Sequence, residues 1–148
     1  MAHSNPQPTY EDVNLILRLY EMRREDKMRT ARAWFSSSFK IKSVAEFSKL
    51  CPVGSEMNAW ARQVMSYWDM VASFVNAGVL NQELFFESGR ELLFVWTRLE
   101  PLVEEWRAAY QDPNYLKNLE TVGTAFAERM KKLSAEGYEN FVKRVRGY

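Results

Sequence analysis

The sequence predicts an all-α domain, a bundle of about four long, mostly antiparallel helices with short helices connecting them. Three observations predict it. Glycine and proline are sparse, 6 and 5 in 148 residues. Apolar residues recur at helical spacing along almost the whole chain. Neither strand alternation nor an internal repeat is visible.

The polar tail Met1 to Pro8 reads as disordered, and residues 9–148 read as one domain. Thr9, with Asp12 three residues on, opens the first helix. Val13, Ile16, Leu17, Tyr20, Met28, Ala31 and Phe35 form its inner face, with one gap near Arg24. This spacing predicts a single helix to about Ser37. Ser43 and Glu46 form a capping box before a short helix through Leu50, which Cys51 to Gly54 ends. Ser55 caps a helix to Ala77, and Gly78 supplies a left-handed stop.

That helix carries one face of Trp60, Ala61, Val64, Trp68, Val71, Ala72 and Val75. A second face holds Tyr67, Met70 and Phe74. Polar residues are confined to a stripe at Arg62, Ser66, Asp69, Ser73 and Asn76, so the helix belongs at the centre of the bundle. Asn81 caps a short turn, Gln82 to Phe86. A helix follows from Arg90 to Tyr110, with Leu92, Val95, Trp96, Leu99, Val103, Trp106 and Tyr110 inward. Pro101 inside it removes one backbone donor and predicts a kink near Thr97 to Pro101. After the turn at Asp112 to Asn114 comes an amphipathic helix marked by Leu116, Leu119, Val122, Phe126, Met130 and Leu133. Gly123 and Ala127 on its inner side point to close approach by a neighbour. Gly137 breaks the pattern before a last short helix with Tyr138, Phe141, Val142 and Val145.

The chemistry-bearing residues are few. The one histidine, His3, lies in the tail. Without a histidine in the body, the Glu-x-x-His metal centre of helical bundles cannot be built in its usual form. Ser36 to Ser38 have no histidine base. The single cysteine, Cys51, is a packed side chain, or a redox thiol if its pKa is lowered. No phosphate-cradling glycine loop is present. Glu83, Glu87 and Glu91, or Glu100, Glu104 and Glu105, read as a solvated face, with a carboxylate cation site as the alternative. Asp69 on the polar stripe reads as exposed. The reading is therefore a non-enzyme, with no catalytic residues, metal or cofactor.

Net charge is +1, which argues against a nucleic-acid binder. No run reaches the roughly 18 apolar residues a membrane span requires, and no signal-peptide pattern opens the chain, so a soluble cytoplasmic protein is expected. Residues 18–32 and 129–146 are basic, and residues 83–105 are acidic. This pattern predicts complementary pairing between helices. Alternatively, Lys143 to Arg146 docks an acidic partner or a membrane surface. The five tryptophans read as core, or as the lining of an apolar cavity near Trp68 and Trp96.

The run from Tyr67 to Leu80 (YWDMVASFVNAGVL), then Leu84 to Phe86, Leu93 to Trp96 and Pro101, resembles a family of small bacterial helical domains of unknown function. So does the turn Asp112 to Tyr115 leading into Asn118 to Glu120. The resemblance covers about Val13 to Met130. It implies an all-helical fold, often preceded by a membrane helix in relatives, and brings no assigned activity or catalytic residues. Together these readings point to a helical protein-interaction or regulatory module, with self-association as one form of that interaction. The alternative is a binder of a small apolar ligand in a cavity between helices, with Trp68 and Trp96 in its lining.

Overall fold

A computed structural model describes residues 7–148 of the chain. His3 and residues 1–6 of the expected tail lie outside those residues. The described residues form eight α-helices and no strand: α1 (Tyr10–Arg23), α2 (Asp26–Ser38), α3 (Val44–Leu50), α4 (Glu56–Asn76), α5 (Gln82–Ser88), α6 (Arg90–Tyr110), α7 (Lys117–Leu133) and α8 (Ala135–Arg146).

The caps follow their local chemistry. Thr9 Oγ1 accepts from the Asp12 amide, and the Asp12 carboxylate accepts from the Thr9 amide at 2.8 Å, a complete capping box. Ser43 and Ser55 cap α3 and α4 by the same hydroxyl-to-amide bond. At α3 the box is incomplete, because Glu46 takes the Lys42 amide instead of the Ser43 amide. Gly78, at φ 77°, makes the left-handed stop beyond α4.

The long helix expected over residues 9–37 is two helices. Arg23 ends α1, and Glu25, whose ψ of 144° is non-helical, accepts from the Met28 amide to open α2. A basic pair followed by an acidic pair suits a helix end followed by a helix start, because each complements the local dipole. The division also turns Val13, Leu17 and Tyr20, expected inward, out to the surface. Gly137 does not break a helix. It lies in the first turn of α8, where its amide donates to the capping Ser134 hydroxyl at 2.9 Å. Tyr110 and Leu133, both expected inward, are exposed at helix ends.

The core forms around α4, which packs against α2 and α7, while α6 packs against α7 and α8. Trp68, Trp106, Phe35, Phe39 and Phe126 are its largest fully buried side chains. Aromatic rings link the elements edge to face, as in Phe47 with Trp106 at 5.2 Å between centroids. A Cβ on Gly123 would stand 2.4 Å from the Trp96 ring, so the missing side chain is what lets α7 approach α6 so closely.

Charge complementarity joins the helices as expected. Acids of α5 and α6 pair with bases of α2, α7 and α8: Glu91 with Arg32, Glu83 and Glu87 with Arg129, and Glu100 with Arg146.

Candidate functional site

Arginine side chains complete the helix ends around the core. The buried Arg98 of α6 donates to the Phe35 and Ser36 carbonyls at 2.6 and 2.8 Å, and to the Val145 carbonyl at 2.9 Å. It has no carboxylate partner among the described residues. Its charge is held by the carbonyl ends of α2 and α8 and by the Phe94 ring at 4.3 Å. Burial lowers its pKa, yet a guanidinium stays protonated. Arg32 joins three elements. It binds both Glu91 oxygens at 2.7 Å and caps the Arg23 carbonyl at 2.9 Å.

Two aspartates serve as caps across elements. Asp12, beyond its own box, accepts from the Asn81 amide at 2.8 Å and so ties the start of α1 to the start of α5. The Thr9 amide, then the Asn81 amide, holds its carboxyl below the usual range. Asp69, expected exposed, is half-buried against α7 and accepts from the Leu119 amide at 3.0 Å. The residue before α7, Leu116, is left-handed and offers no capping side chain, so α4 supplies the cap. Burial pushes the Asp69 carboxyl up, partly offset by that amide.

The expected chemistry sites resolve individually. Cys51 is buried, and its thiol is pushed up to about 11 by burial, the reverse of an activated thiolate. Ser37 turns its hydroxyl to the Trp34 carbonyl and to Ser38. The six glutamates considered as a cation site are spread among arginine partners and, for Glu105, the Val44 amide. Among the described residues no three His, Cys, Asp or Glu side chains group to hold a metal ion. No described helix is long and apolar enough to cross a membrane. In the basic C-terminal run, Arg146 turns in to Glu100 and Val145 is buried, while Lys143 and Arg144 remain exposed.

Trp68 and Trp96 are both buried and line different clefts. Trp68 lines a cleft of about 410 Å³ between α1, α4 and α5, with Ile16, Tyr20, Arg23 and Phe85. Its indole nitrogen and the Nε of Arg23 have no hydrogen-bond partner among the described residues, and the Arg23 guanidinium lies 5.5 Å from the Trp68 ring. Trp96 lines a cleft of about 560 Å³ between α6, α7 and α8, walled by charged side chains such as Glu100, Lys131 and Arg146. A third cleft, of about 540 Å³, lies between α2, α6 and α8.

Beside the Trp68 cleft, α1 carries an uncovered apolar stripe. Tyr10, Val13, Leu17 and Tyr20 are 88, 42, 53 and 45 % exposed. Their steps of three, four and three place them on one side of the helix, the spacing of a helix-pairing seam. Sequence periodicity picks out Val13, Leu17 and Tyr20 of this stripe and assigns them to the core; Tyr10 lies outside that reading. Only the packing of the folded chain, which leaves this side of α1 uncovered, shows it to be surface.

Searches against curated proteins and solved structures give no match. A family model does match, over residues 8–126, which takes in α1 through α6 and the first half of α7. The chain therefore belongs to the family described as Domain of unknown function (DUF4760).

Proposed function

We propose that the chain is a non-enzymatic interaction module that pairs with a second copy of itself through the outer face of α1. The observation that carries this reading is the exposed stripe of Tyr10, Val13, Leu17 and Tyr20. A helix of 14 residues with about three turns of a three-four repeat left uncovered is well suited to pair with a like helix. An antiparallel pair about a two-fold axis would set Tyr10 against Tyr20 and Val13 against Leu17, burying all four. The chemistry of the interior supports a non-enzymatic role, since the buried polar groups Asp12, Asn81 and Arg98 are committed to helix ends.

Sedimentation equilibrium of the full chain tests the pairing. A reversible dimer in the micromolar range is expected, and Leu17→Glu should return it to monomer with an unchanged helical circular dichroism spectrum. A strict monomer up to several hundred micromolar would end this reading.

A second reading rests on the Trp68 cleft, whose size falls in the range of ligand pockets and whose indole N–H lacks a partner. In it, a small apolar ligand bearing one acceptor binds between α1, α4 and α5. Titration with naphthol should then change tryptophan fluorescence saturably, and Ile16→Phe, which narrows the cleft, should abolish the change. A linear, unsaturating response would exclude it.

A further inference from the structure

We infer that the cleft between α2, α6 and α8 binds a small anionic amphiphile, an anionic headgroup on an apolar chain, with Arg29 and Arg90 holding the headgroup. This cleft shares no lining residue with α1 or the Trp68 cleft. Its volume of about 540 Å³ suits a small ligand. Phe35, Val64, Phe94, Val95 and Phe141 supply apolar lining, and Arg29, Arg32 and Arg90 supply charge. The one acid in the lining, Glu91, is already bound by Arg32 through both oxygens.

Arg29 and Arg90 are left without compensation. Among the described residues neither makes an ion pair, and Arg90 reaches only the Met130 sulfur at 3.9 Å. A further guanidinium adds to the positive field: Arg144 lies 5.9 Å from the Phe141 ring and makes no ion pair among the described residues. Low-dielectric aromatic walls focus such a field on whatever enters. A bare anion would leave the apolar lining unused, and a neutral hydrocarbon would leave the arginines unpaired. A ligand with both parts answers both. The guanidinium fork matches carboxylate and phosphate oxygens in pairs, so either headgroup fits. The source is either a dissolved carboxylate or an anionic lipid presented by a bilayer.

Calorimetric titration of the full chain with sodium octanoate, octanol and sodium acetate tests the dissolved source. Co-sedimentation with phosphatidylglycerol vesicles tests the bilayer source. Octanoate should bind saturably and about tenfold tighter than octanol, with acetate silent. Arg29→Ala with Arg90→Ala should weaken octanoate about tenfold and leave octanol unchanged. Both side chains are exposed, and Arg90 opens α6, where a cation opposes the dipole, so the double variant should stay folded. Ala33→Trp, at an exposed lining position, should block the cleft with no change of charge. Vesicle binding lost in both variants, without octanoate binding, would assign the headgroup to a lipid. Octanol binding as tightly as octanoate, indifference to both variants, or binding to neither octanoate nor vesicles would overturn the inference.

Discussion

The Arg146 guanidinium donates from Nε to the Thr97 carbonyl at 3.0 Å. That carbonyl is the one which Pro101, four residues on and lacking an amide hydrogen, leaves without a helical donor. Thr97 is buried, so an unpaired oxygen there is costly. α8 thus repairs a defect in α6 and gains its own anchorage from it. Arg146 also pairs with Glu100 at 2.9 Å, at a more exposed position.

Arg146→Ala should therefore lose about 1–3 kcal/mol, most of it from the orphaned carbonyl. Pro101→Ala returns the helical donor to Thr97. In that background Arg146→Ala should cost only the exposed ion pair, about 0.2–1 kcal/mol. A double-mutant cycle by urea unfolding measures the coupling. Additivity to within about 0.5 kcal/mol would mean that the two residues do not share the carbonyl.

Arg98 closes the ends of two helices at once, so its loss has a larger expected effect. Arg98→Met keeps the buried stem and removes every donor to the Phe35, Ser36 and Val145 carbonyls. A drop of roughly 3 kcal/mol or more is expected from the unpaired buried groups. Arg98→Lys should recover less than half, because an ammonium cannot span carbonyls on two helices. The midpoint of urea unfolding reads both. Full recovery by lysine would show that charge, not the fork, is what the site needs.

The helices were legible where local chemistry sets them. Thr9, Ser43, Ser55 and Asn81 sit at the caps that their side chains predict, and Arg90 to Tyr110 is the helix that its periodicity predicts. Two kinds of feature were not legible. A three-four repeat reports only that one side of α1 is apolar, so it could not distinguish a core face from an uncovered one at Leu17. Partners distant in sequence were also hidden. Nothing near Asp69 announces that it caps a helix fifty residues on, and nothing near Arg98 announces that it closes α2 and α8. The clefts arise the same way, from side chains brought together only by packing. Trp68 and Trp96 could be read as buried, but not as lining different clefts.

Gly123 gives a test of packing against propensity. In an isolated helix Gly→Ala is worth about 1 kcal/mol of stabilisation. Here the added methyl would meet the Trp96 Cγ and Cδ1 at 2.4 Å, so the helices must part. Gly123→Ala should destabilise by about 1–2 kcal/mol net. In a Trp96→Ala background the same change should turn stabilising. Thermal unfolding of the four proteins decides it, and a stabilising Gly123→Ala in the parent chain would show that α6 and α7 have room to spare.

The two capping aspartates should respond to pH with opposite signs. The Thr9 and Asn81 amides lower the pKa of Asp12 in the folded chain. Its contribution to stability is therefore present above the unfolded value near 3.8 and fades as pH falls through the lower folded value. Burial raises the pKa of Asp69. Its linkage contribution is complete below the unfolded value and is lost as pH rises through the raised folded one. Asp12→Asn removes an acceptor from one of two amides and should cost about 1 kcal/mol at pH 7, with the deficit shrinking toward pH 3. Asp69→Asn keeps an oxygen for the Leu119 amide and removes the ionisation, so relative to the parent it should gain stability between pH 3 and pH 7. Asp69→Ala loses the cap and should cost about 1 kcal/mol at either pH. Urea unfolding of the three variants and the parent at pH 3 and pH 7 gives each difference. If Asp69→Asn instead loses ground to the parent as pH rises, the carboxylate charge itself is stabilising α7, and the dipole of that helix outweighs the burial of the group.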